Sequence, residues 1–373
     1  MATIIHTADV HLDRAFSGLG MMSGIAAERR EELRDAIRRL VDLAIEVGAD
    51  ALTIGGDLYE HERATLDTGN FLAQQFARLE TVPVLVSPGN HDPYVPDSLY
   101  RRVDWPSNVT IFSATELRPV TLASGVTIWG AAHDGPEVRR NLVAGFRVSG
   151  AGPHVLLFHG SNMSGAPEKR TGHAPFLPED IAATGVDFAL LGHYHSGRVY
   201  KDGKPDGRPL FAYPGTPEAL DFSEEGEHFV LRLDIDGSTV EPQPVPFGRV
   251  RYRTNRIDVT DLVTSDEVRS AIAELESPVI QRVILEGQLN GDVDLDTGAL
   301  YNVCAERFAY LDLVDRTEPG YDLEELAEES TTKGAFVRLV RERAATGEGD
   351  RELLELAMRY GLQAFDGQEV RSP

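Results

Sequence analysis

The chain has 373 residues, of which 42% are hydrophobic and 26% are charged, the composition of an ordinary globular protein long enough for two domains. Its net charge of −24 argues against a general nucleic-acid-binding surface, because such surfaces cluster Lys and Arg to displace counterions from phosphates. A polyvalent cation at one site could still invert the local field. No apolar stretch approaches the ~20 residues that cross a bilayer, and Cys304 is the only cysteine. Because the sequence enters a strand-like pattern at once, without a basic region or cleavage site, we expect no signal peptide. We therefore expect a cytoplasmic protein without membrane association.

The first 248 residues predict one α/β domain, because strands and helices alternate along them. Helices are expected near residues 26–47 and 64–79. Strands are expected at 3–7, 51–54 and 83–86, near 109–112, 120–122 and 126–129, in the segment "HVLLF", at 188–191, and as hairpins up to about residue 248. Such alternation predicts parallel strands with helices packed on the sheet faces.

The remainder of the chain predicts a second, smaller domain followed by helices. Residues 249–315 contain "VRYRTNRIDVT", the helix "SDEVRSAIAELE" and the strand "VIQRVILEGQL", a β-α-β unit of a small α+β domain. Residues 321–365 predict two amphipathic helices separated by "TGEG". Their apolar stripes pack either on this protein's own second domain or on another chain.

Polar side chains with metal-binding chemistry follow five of the predicted strands. They are Asp9 and His11, then Asp57, then Asn90, His91 and Asp92, then His159, and finally His193 and His195. Ligand sites in open α/β sheets form beyond the carboxyl ends of strands, so these residues can meet in one crevice. The carboxylates, amide and imidazoles suffice for two divalent ions that share a carboxylate. Each residue alone could be structural, but the set together predicts a metal centre.

The pair His193 and His195 lies in "GHYH", directly after the apolar run that ends at Gly192. In extended backbone, residues two apart point to the same face, so the two imidazoles could converge on one ligand. By itself, this pattern is more often a pair of solvated loop residues.

The motifs "DVH", "GGDLYE", "GNHD", "FHG" and "GHYH", in this order, resemble those of the calcineurin-like metallophosphoesterases. The segments "HTADVHLDRAF" and "YPGTPEALDF" narrow the resemblance to the SbcD-like and YhaO-like DNA repair exonucleases. The resemblance covers residues 4 to about 222. It implies a four-layer α/β/β/α sandwich of two mixed sheets, followed by a small α+β cap domain and C-terminal helices.

The resemblance also implies a site with two divalent ions, usually manganese. One ion would be held by Asp9, His11 and His195, the other by Asn90, His159 and His193, with Asp57 bridging the two. A hydroxide activated by the two ions would attack phosphorus in line. His91 would bind no metal and, when protonated, would stabilise the phosphoryl charge and assist the leaving oxygen.

Glu60 stands three residues after Asp57, where relatives carry histidine or aspartate. An acidic group there can hydrogen-bond His91 and favour its charged form, which predicts a catalytic contribution. The alternative is a solvated glutamate in a loop.

The leading functional hypothesis is a manganese-dependent phosphodiesterase that acts as an exonuclease on DNA ends or single strands in DNA repair. The chain contains no phosphate-binding loop of its own, and the resemblance implies a separate SMC-like coiled-coil ATPase as partner, as well as a homodimer. The alternative is a metallophosphatase or phosphodiesterase on small-molecule phosphate esters, which the acidity favours. A catalytically inactive scaffold is disfavoured because no ligand position is missing.

Overall fold

The computed structural model describes residues 1–17, 23–164, 172–202, 207–289, 295–347 and 350–367. The chain divides into two compact units, residues 1–252 and 253–373. The helices of the first unit are α1 (Ser23–Glu46), α2 (Leu66–Ala77), α3 (Leu99–Arg102) and α4 (Pro178–Thr184). Its strands are β1 (Ala2–Thr7), β2 (Ala51–Ile54), β3 (Val84–Val86), β4 (Val109–Ile111), β5 (Arg118–Thr121), β6 (Thr127–Gly130), β7 (His154–His159), β8 (Phe188–Gly192), β9 (Arg198–Lys201), β10 (Pro209–Tyr213), β11 (Phe229–Asp236) and β12 (Thr239–Pro246).

Two six-stranded mixed sheets form the centre of the first unit. The first has the order β12-β11-β1-β2-β3-β4, in which β1 to β4 are parallel and β11 pairs antiparallel with both β1 and β12. The second has the order β5-β6-β7-β8-β10-β9, in which β6, β7, β8 and β10 are parallel and each edge strand is antiparallel. Parallel neighbours end at the same edge, so the loops after them lie side by side.

The main hydrophobic core lies between the two sheets. Because side chains along β7 alternate between the two faces of the sheet, Val155 and Leu157 lie on one face, in a buried cluster that also contains Ile4 from the first sheet. The intervening residues Leu156 and Phe158 belong to a second cluster on the opposite face of the second sheet. Because these strands are buried on both faces, their sequences are continuous apolar runs.

Helices cover the outer faces of both sheets, which gives the four-layer α/β/β/α order. Ile181 on α4 packs in the outer cluster of the second sheet. Ile5, the neighbour of Ile4 on β1, faces away from the central core and is also completely buried. Helix α1 supplies a buried stripe at helical spacing, consisting of Leu33, Ile37, Leu40, Val41 and Ala44. Among the helices that the structure describes, none is both long and apolar enough to cross a membrane.

The second unit is built on a three-stranded sheet. Its elements are β13 (Tyr252–Asp258), α5 (Ser265–Ala273), β14 (Ile280–Leu289), α6 (Thr297–Cys304), a short 3-10 turn (Ala305–Arg307) and β15 (Tyr310–Pro319), with the strand order β13-β14-β15. The predicted β-α-β unit is present, and α6 and β15 extend it. The sheet and its helices enclose a separate core around Val268, Val283 and Leu311.

The described residues of the C-terminal segment form three helices, so the prediction of two was wrong. They are α7 (Leu323–Glu328), α8 (Thr332–Thr346) and α9 (Arg351–Phe365). The predicted first helix is interrupted because Glu329 has an extended backbone and the Thr331 hydroxyl caps α8 by accepting the N–H of Gly334 at 3.0 Å. Gly347 ends α8 with φ +71°, whereas residues 348–349 of the expected "TGEG" break lie outside the described residues.

Candidate metal centre

The loops that follow β1, β2 and β3 in the first sheet meet those that follow β7 and β8 in the second. Nε2 of His6 on β1 lies 3.1 Å from the carbonyl oxygen of Leu191 on β8, so the sheets touch close to this edge. The residues predicted to bind metal or to act in catalysis all lie in these loops or at the last residue of a strand: Asp9, His11, Asp57, Glu60, Asn90, His91, His159, His193 and His195.

Four of these residues have left-handed backbone conformations. The φ angle is +54° at Asp9, +54° at His11, +52° at Asp57 and +119° at His193. A residue other than glycine in this region costs about 1 to 3 kcal/mol and persists where the surrounding structure enforces it. Here hydrogen bonds between loops do so, because Asp9 N–H donates to the carbonyl of Gly56 at 3.0 Å and His11 N–H to that of Asp57 at 2.9 Å. Strain of this kind concentrates at functional sites.

Two glycines allow the loops to approach one another. Gly56 has φ +97°, and a Cβ there would lie 2.7 Å from Nδ1 of His159. A Cβ on Gly89 would lie 2.3 Å from Oδ1 of Asp57. Both positions require glycine because a side chain would displace a candidate ligand.

Asp9, His11 and His195 form the first set of potential ligands, with one atom of each within 4.8 Å of the others. Nδ1 of His11 is 2.8 Å from Oε1 of Glu60, and Nδ1 of His195 is 2.5 Å from Oε1 of Glu224. Because both Nδ1 atoms are hydrogen-bonded, Nε2 is the nitrogen that each imidazole can offer to a cation.

A second set surrounds Nε2 of His159. Oδ1 of Asn90 lies 2.9 Å from this atom, and Nδ1 of His193 lies 3.2 Å from it. Oδ2 of Asp57 is 3.3 Å away from the same nitrogen and 3.9 Å from Nε2 of His11. Imidazole nitrogens, an amide oxygen and a carboxylate thus point at a common position.

Asp57 lies between the two sets. It forms one group of potential ligands with Asp9 and His159, and another with His11 and His91. This position is compatible with the bridging role that the resemblance implies, and the role itself stays a prediction.

The atoms around His159 fit a cation. Its Nδ1 lies 2.9 Å from the carbonyl oxygen of Gly55 and therefore carries the hydrogen, which leaves Nε2 as an acceptor. This acceptor faces an Asp57 oxygen, and two such atoms at this distance repel unless a proton or a metal cation lies between them. Within the described part of the chain, the buried Nε2 of His11 has no hydrogen-bond partner. Nitrogen and oxygen donors of this kind suit divalent metal ions.

The electrostatics of the buried groups agree with this fit. Burial raises the pKa of Asp9 to about 7, and burial followed by repulsion from Asp92 raises the pKa of Asp57 well above its ordinary range. Burial also lowers the pKa of His11 to about 4 and that of His193 to about 3. The imidazoles of His11 and His193 are therefore neutral, the form that binds metal, and the carboxylates lack compensating charge that a divalent ion would supply.

Glu60 connects two imidazoles. Its Oε1 accepts a hydrogen bond from Nδ1 of His11 at 2.8 Å, and its Oε2 accepts one from Nδ1 of His91 at 2.9 Å. Burial raises the pKa of Glu60, but these hydrogen bonds outweigh burial and leave the pKa far below its ordinary value. The bond to Glu60 also raises the pKa of His91. With 19% of its side chain exposed, Glu60 is not the solvated loop residue considered as the alternative, whereas its part in catalysis stays a prediction.

Asp92 holds the loops after β2 and β3 together. Its carboxylate accepts hydrogen bonds from the backbone N–H of Asp57 at 3.0 Å, Leu58 at 2.7 Å and Gly89 at 2.6 Å, and from the hydroxyl of Tyr100 at 2.6 Å. Sequence reasoning noted Asp92 in "GNHD" without giving it a role. Nothing in the sequence marks Tyr100.

Sequence reasoning also missed two histidines beside the second set. Nε2 of His133 lies 2.9 Å from the carbonyl oxygen of His159, and the ring centroid of His173 lies 5.5 Å from that of His193. A signal existed for His133, since it follows the end of β6 and so obeys the strand-end rule that located the other residues.

His193 and His195 do not converge on one ligand, contrary to the expectation for extended backbone. The ring of His193 lies 5.1 Å from that of His159, and the ring of His195 lies 5.1 Å from that of His11. The positive φ of His193 breaks the extended alternation, so the two imidazoles are directed to different sets.

The comparisons with known proteins agree with this geometry. Residues 2–197 match the family model described as calcineurin-like phosphoesterase. The metallophosphoesterase YhaO of Bacillus subtilis (strain 168), described as uncharacterized, is 27% identical over 300 residues, which cover 76% of this chain and 72% of YhaO. The DNA double-strand break repair protein Mre11 of Haloferax volcanii is 29% identical over 329 residues, covering 79% of this chain and 69% of that protein. Mre11 of Aeropyrum pernix is 29% identical over 284 residues, which cover 70% of this chain and 64% of that protein. The chain belongs to the calcineurin-like phosphoesterase family, a metallophosphoesterase family whose fold implies divalent metal ions and hydrolysis of phosphoesters.

Proposed function

We propose that this chain is a manganese-dependent phosphodiesterase that acts as an exonuclease on DNA ends or single strands in DNA repair. One ion would be held by Asp9, His11 and His195, the other by Asn90, His159 and His193, and Asp57 would belong to both. The observation that carries the proposal is the position of Asp57 between two donor sets, 3.3 Å from Nε2 of His159 and 3.9 Å from Nε2 of His11. A mixed nitrogen and oxygen donor set suits manganese.

When bound, the two ions would supply positive charge beside the phosphate and would acidify a water molecule. The chain's own contribution centres on His91, whose side chain is 45% exposed and can therefore meet a substrate. Its Nδ1 is engaged by Glu60, so Nε2 is left to donate a hydrogen bond to a phosphoryl or leaving oxygen. Glu60 favours the charged imidazole and, through His11, ties His91 to the first ligand set.

DNA is proposed as substrate because two of the similar proteins are named as DNA double-strand break repair proteins. The small-molecule alternative keeps one specific observation in its favour, the net charge of −24, which opposes approach of a polyanion. Both substrates require the same metal chemistry, so only an experiment can distinguish the two proposals.

The proposal includes a separate SMC-like coiled-coil ATPase, a homodimer and a cytoplasmic location. We assign nuclease activity to residues 1–248, a cap role to 249–315 and ATPase binding to 321–365. A groove of about 960 Å³ in the second unit, lined among others by Leu354 and Leu356, offers an apolar surface. On α8, Leu339 remains 50% exposed whereas the adjacent Val340 is buried, and on α9 Leu353 remains 64% exposed. The two predicted apolar stripes thus pack partly within the unit, and their exposed leucines would contact the ATPase.

The test is incubation of the purified protein with labelled single-stranded DNA, labelled double-stranded DNA and a generic phosphodiester. Each substrate is offered with Mn²⁺, with Mg²⁺ and with chelator, and the Asp57→Asn variant purified in parallel excludes a contaminating nuclease. DNA cleavage that depends on Mn²⁺ is expected. Hydrolysis of the generic ester with intact DNA would favour the small-molecule alternative.

A further inference from the structure

The segment "YPGTPEALDF" (residues 213–222) carries part of the sequence resemblance to the SbcD-like and YhaO-like exonucleases. We propose that Glu224 is a positioning residue for His195, holding the hydrogen on Nδ1 so that Nε2 faces Asp9 and His11. The inference rests on the proposed function in one respect, the assignment of His195 as a metal ligand.

The contact between Glu224 and His195 is short and sheltered. Oε1 of Glu224 lies 2.5 Å from Nδ1 of His195, and 9% of the glutamate side chain is exposed. A carboxylate oxygen accepts, and the other oxygen of Glu224 is already taken by the donors of Leu220 and Thr216, so the hydrogen in this contact belongs to Nδ1.

The second carboxylate oxygen of Glu224 is also fully used. Oε2 accepts the backbone N–H of Leu220 at 2.9 Å and the hydroxyl of Thr216 at 3.0 Å. The orientation of the carboxylate is therefore determined by three donors from three different residues. A carboxylate held in this way can fix the plane and the tautomer of the imidazole that it contacts.

The same segment braces the backbone of both partners. Thr216 N–H donates to the carbonyl oxygen of His195 at 3.0 Å. The buried His228 contacts the carbonyl oxygen of Glu224 through Nε2 at 3.0 Å and that of Thr216 through Nδ1 at 2.9 Å. Residues 216–228 thus form a support behind His195, which gives the segment "YPGTPEALDF" a physical role.

His11, the other imidazole of the first set, is held in the same manner by Glu60, with Oε1 at 2.8 Å from Nδ1. Glu60 also contacts His91, so substitutions there disturb two histidines at once. Among the described residues, Glu224 contacts no other imidazole of the candidate ligands, so its substitution isolates the positioning effect on His195.

The test is Glu224→Gln. An amide cannot satisfy the present partners, because Leu220, Thr216 and His195 all donate and only one of its two terminal atoms accepts. Titration calorimetry with Mn²⁺ should show the affinity of one site reduced by about 10- to 100-fold and the other little changed. Glu225→Gln, an exposed glutamate in the same loop with the same change in charge, is the matched control and should bind like the wild type.

A second readout does not involve bound metal. Nitrogen NMR of the metal-free wild type at alkaline pH should show His195 with its hydrogen on Nδ1, and Glu224→Gln should shift the hydrogen toward Nε2. A wild-type His195 with its hydrogen on Nε2 would overturn the inference, even if the variant fails to fold. So would a folded Glu224→Gln protein with wild-type Mn²⁺ affinity. If the wild type itself binds no Mn²⁺, the proposed function fails, and the positioning role fails with it.

Discussion

Oδ2 of Asp57 lies 3.3 Å from Nε2 of His159, and this nitrogen is an acceptor because Nδ1 of His159 donates to the carbonyl oxygen of Gly55. The same carboxylate lies 3.9 Å from the unpartnered Nε2 of His11. One carboxylate thus faces two imidazoles that come from different sheets. The first two predictions follow from this relationship.

Substitution of Asp57 should remove more metal than substitution of His193. Asp57→Ala deletes a group shared by both proposed ligand sets, so both ions should be lost, whereas His193→Ala should weaken only the ion held with His159. Elemental analysis of the purified variants counts the bound Mn²⁺. Wild-type stoichiometry in both variants would exclude both residues as ligands.

The Asp57→Asn variant should be more stable than the wild type without metal and less stable than the wild type with metal. In metal-free protein the amide can donate to Nε2 of His159 and cannot ionise in the buried site, so the variant should be more stable by about 1 to 2 kcal/mol and unfold at a higher Tm. Added Mn²⁺ should stabilise the wild type by about 2.7 kcal/mol at a hundred times Kd and the variant far less. Calorimetric melts with Mn²⁺ and with chelator measure this, and a wild-type Tm that ignores Mn²⁺ would contradict it.

His91→Ala should keep both metal ions and lose most of the turnover. Loss of a general acid or of charge stabilisation of this kind reduces rates by about 10² to 10⁴. Glu60→Gln should reduce turnover less, because it weakens the hydrogen bond to His91 without removing the imidazole. His61→Ala, a partly exposed histidine adjacent to Glu60, is the control and should turn over like the wild type. Normal turnover by metal-loaded His91→Ala would assign His91 to structure.

Gly56→Ala should lower the free energy of unfolding more than Gly125→Ala, although both glycines have positive φ, +97° and +87°. The backbone penalty of about 1 to 2 kcal/mol applies to both. An added methyl at Gly56 would lie 2.7 Å from Nδ1 of His159, whereas the space around Gly125 is open, so Gly56→Ala should lose about 1 to 3 kcal/mol more. Denaturant unfolding measures both, and equal losses would show that the loops can move apart freely.

The double variant Leu339→Glu with Leu353→Glu should fold and cleave DNA but no longer co-purify with the SMC-like ATPase. Both side chains are exposed, at 50% and 64%, so their replacement leaves the core of the second unit intact. Val263→Glu, at 55% exposure in the same unit, is the matched control and should retain the ATPase. Co-purification by the double variant would show that these leucines do not bind the partner. Truncation after Pro319 would be a weaker test, because it would also remove the buried residues Val337 and Leu362.

The sequence by itself determined the α/β class and the position of the candidate ligands along the chain. Strand runs such as 188–191 are apolar enough to be recognised, and a polar residue just past a strand end is visible without coordinates. Local signals also located β2 at its observed bounds. They failed at Thr331, where a cap that interrupts an otherwise helical pattern divides one predicted helix into two.

Only the tertiary structure decided which candidate ligands lie together in each set. His193 and His195 are two residues apart, yet the φ of +119° at His193 directs them to different sets, and a positive φ is not predictable for a histidine from its neighbours. Glu224 contacts His195 across 29 positions, and Glu60 contacts His11 across 49. Such pairs depend on how distant loops pack against one another, because hydrogen bonds between distant segments are determined by tertiary packing and leave no periodic pattern in the sequence.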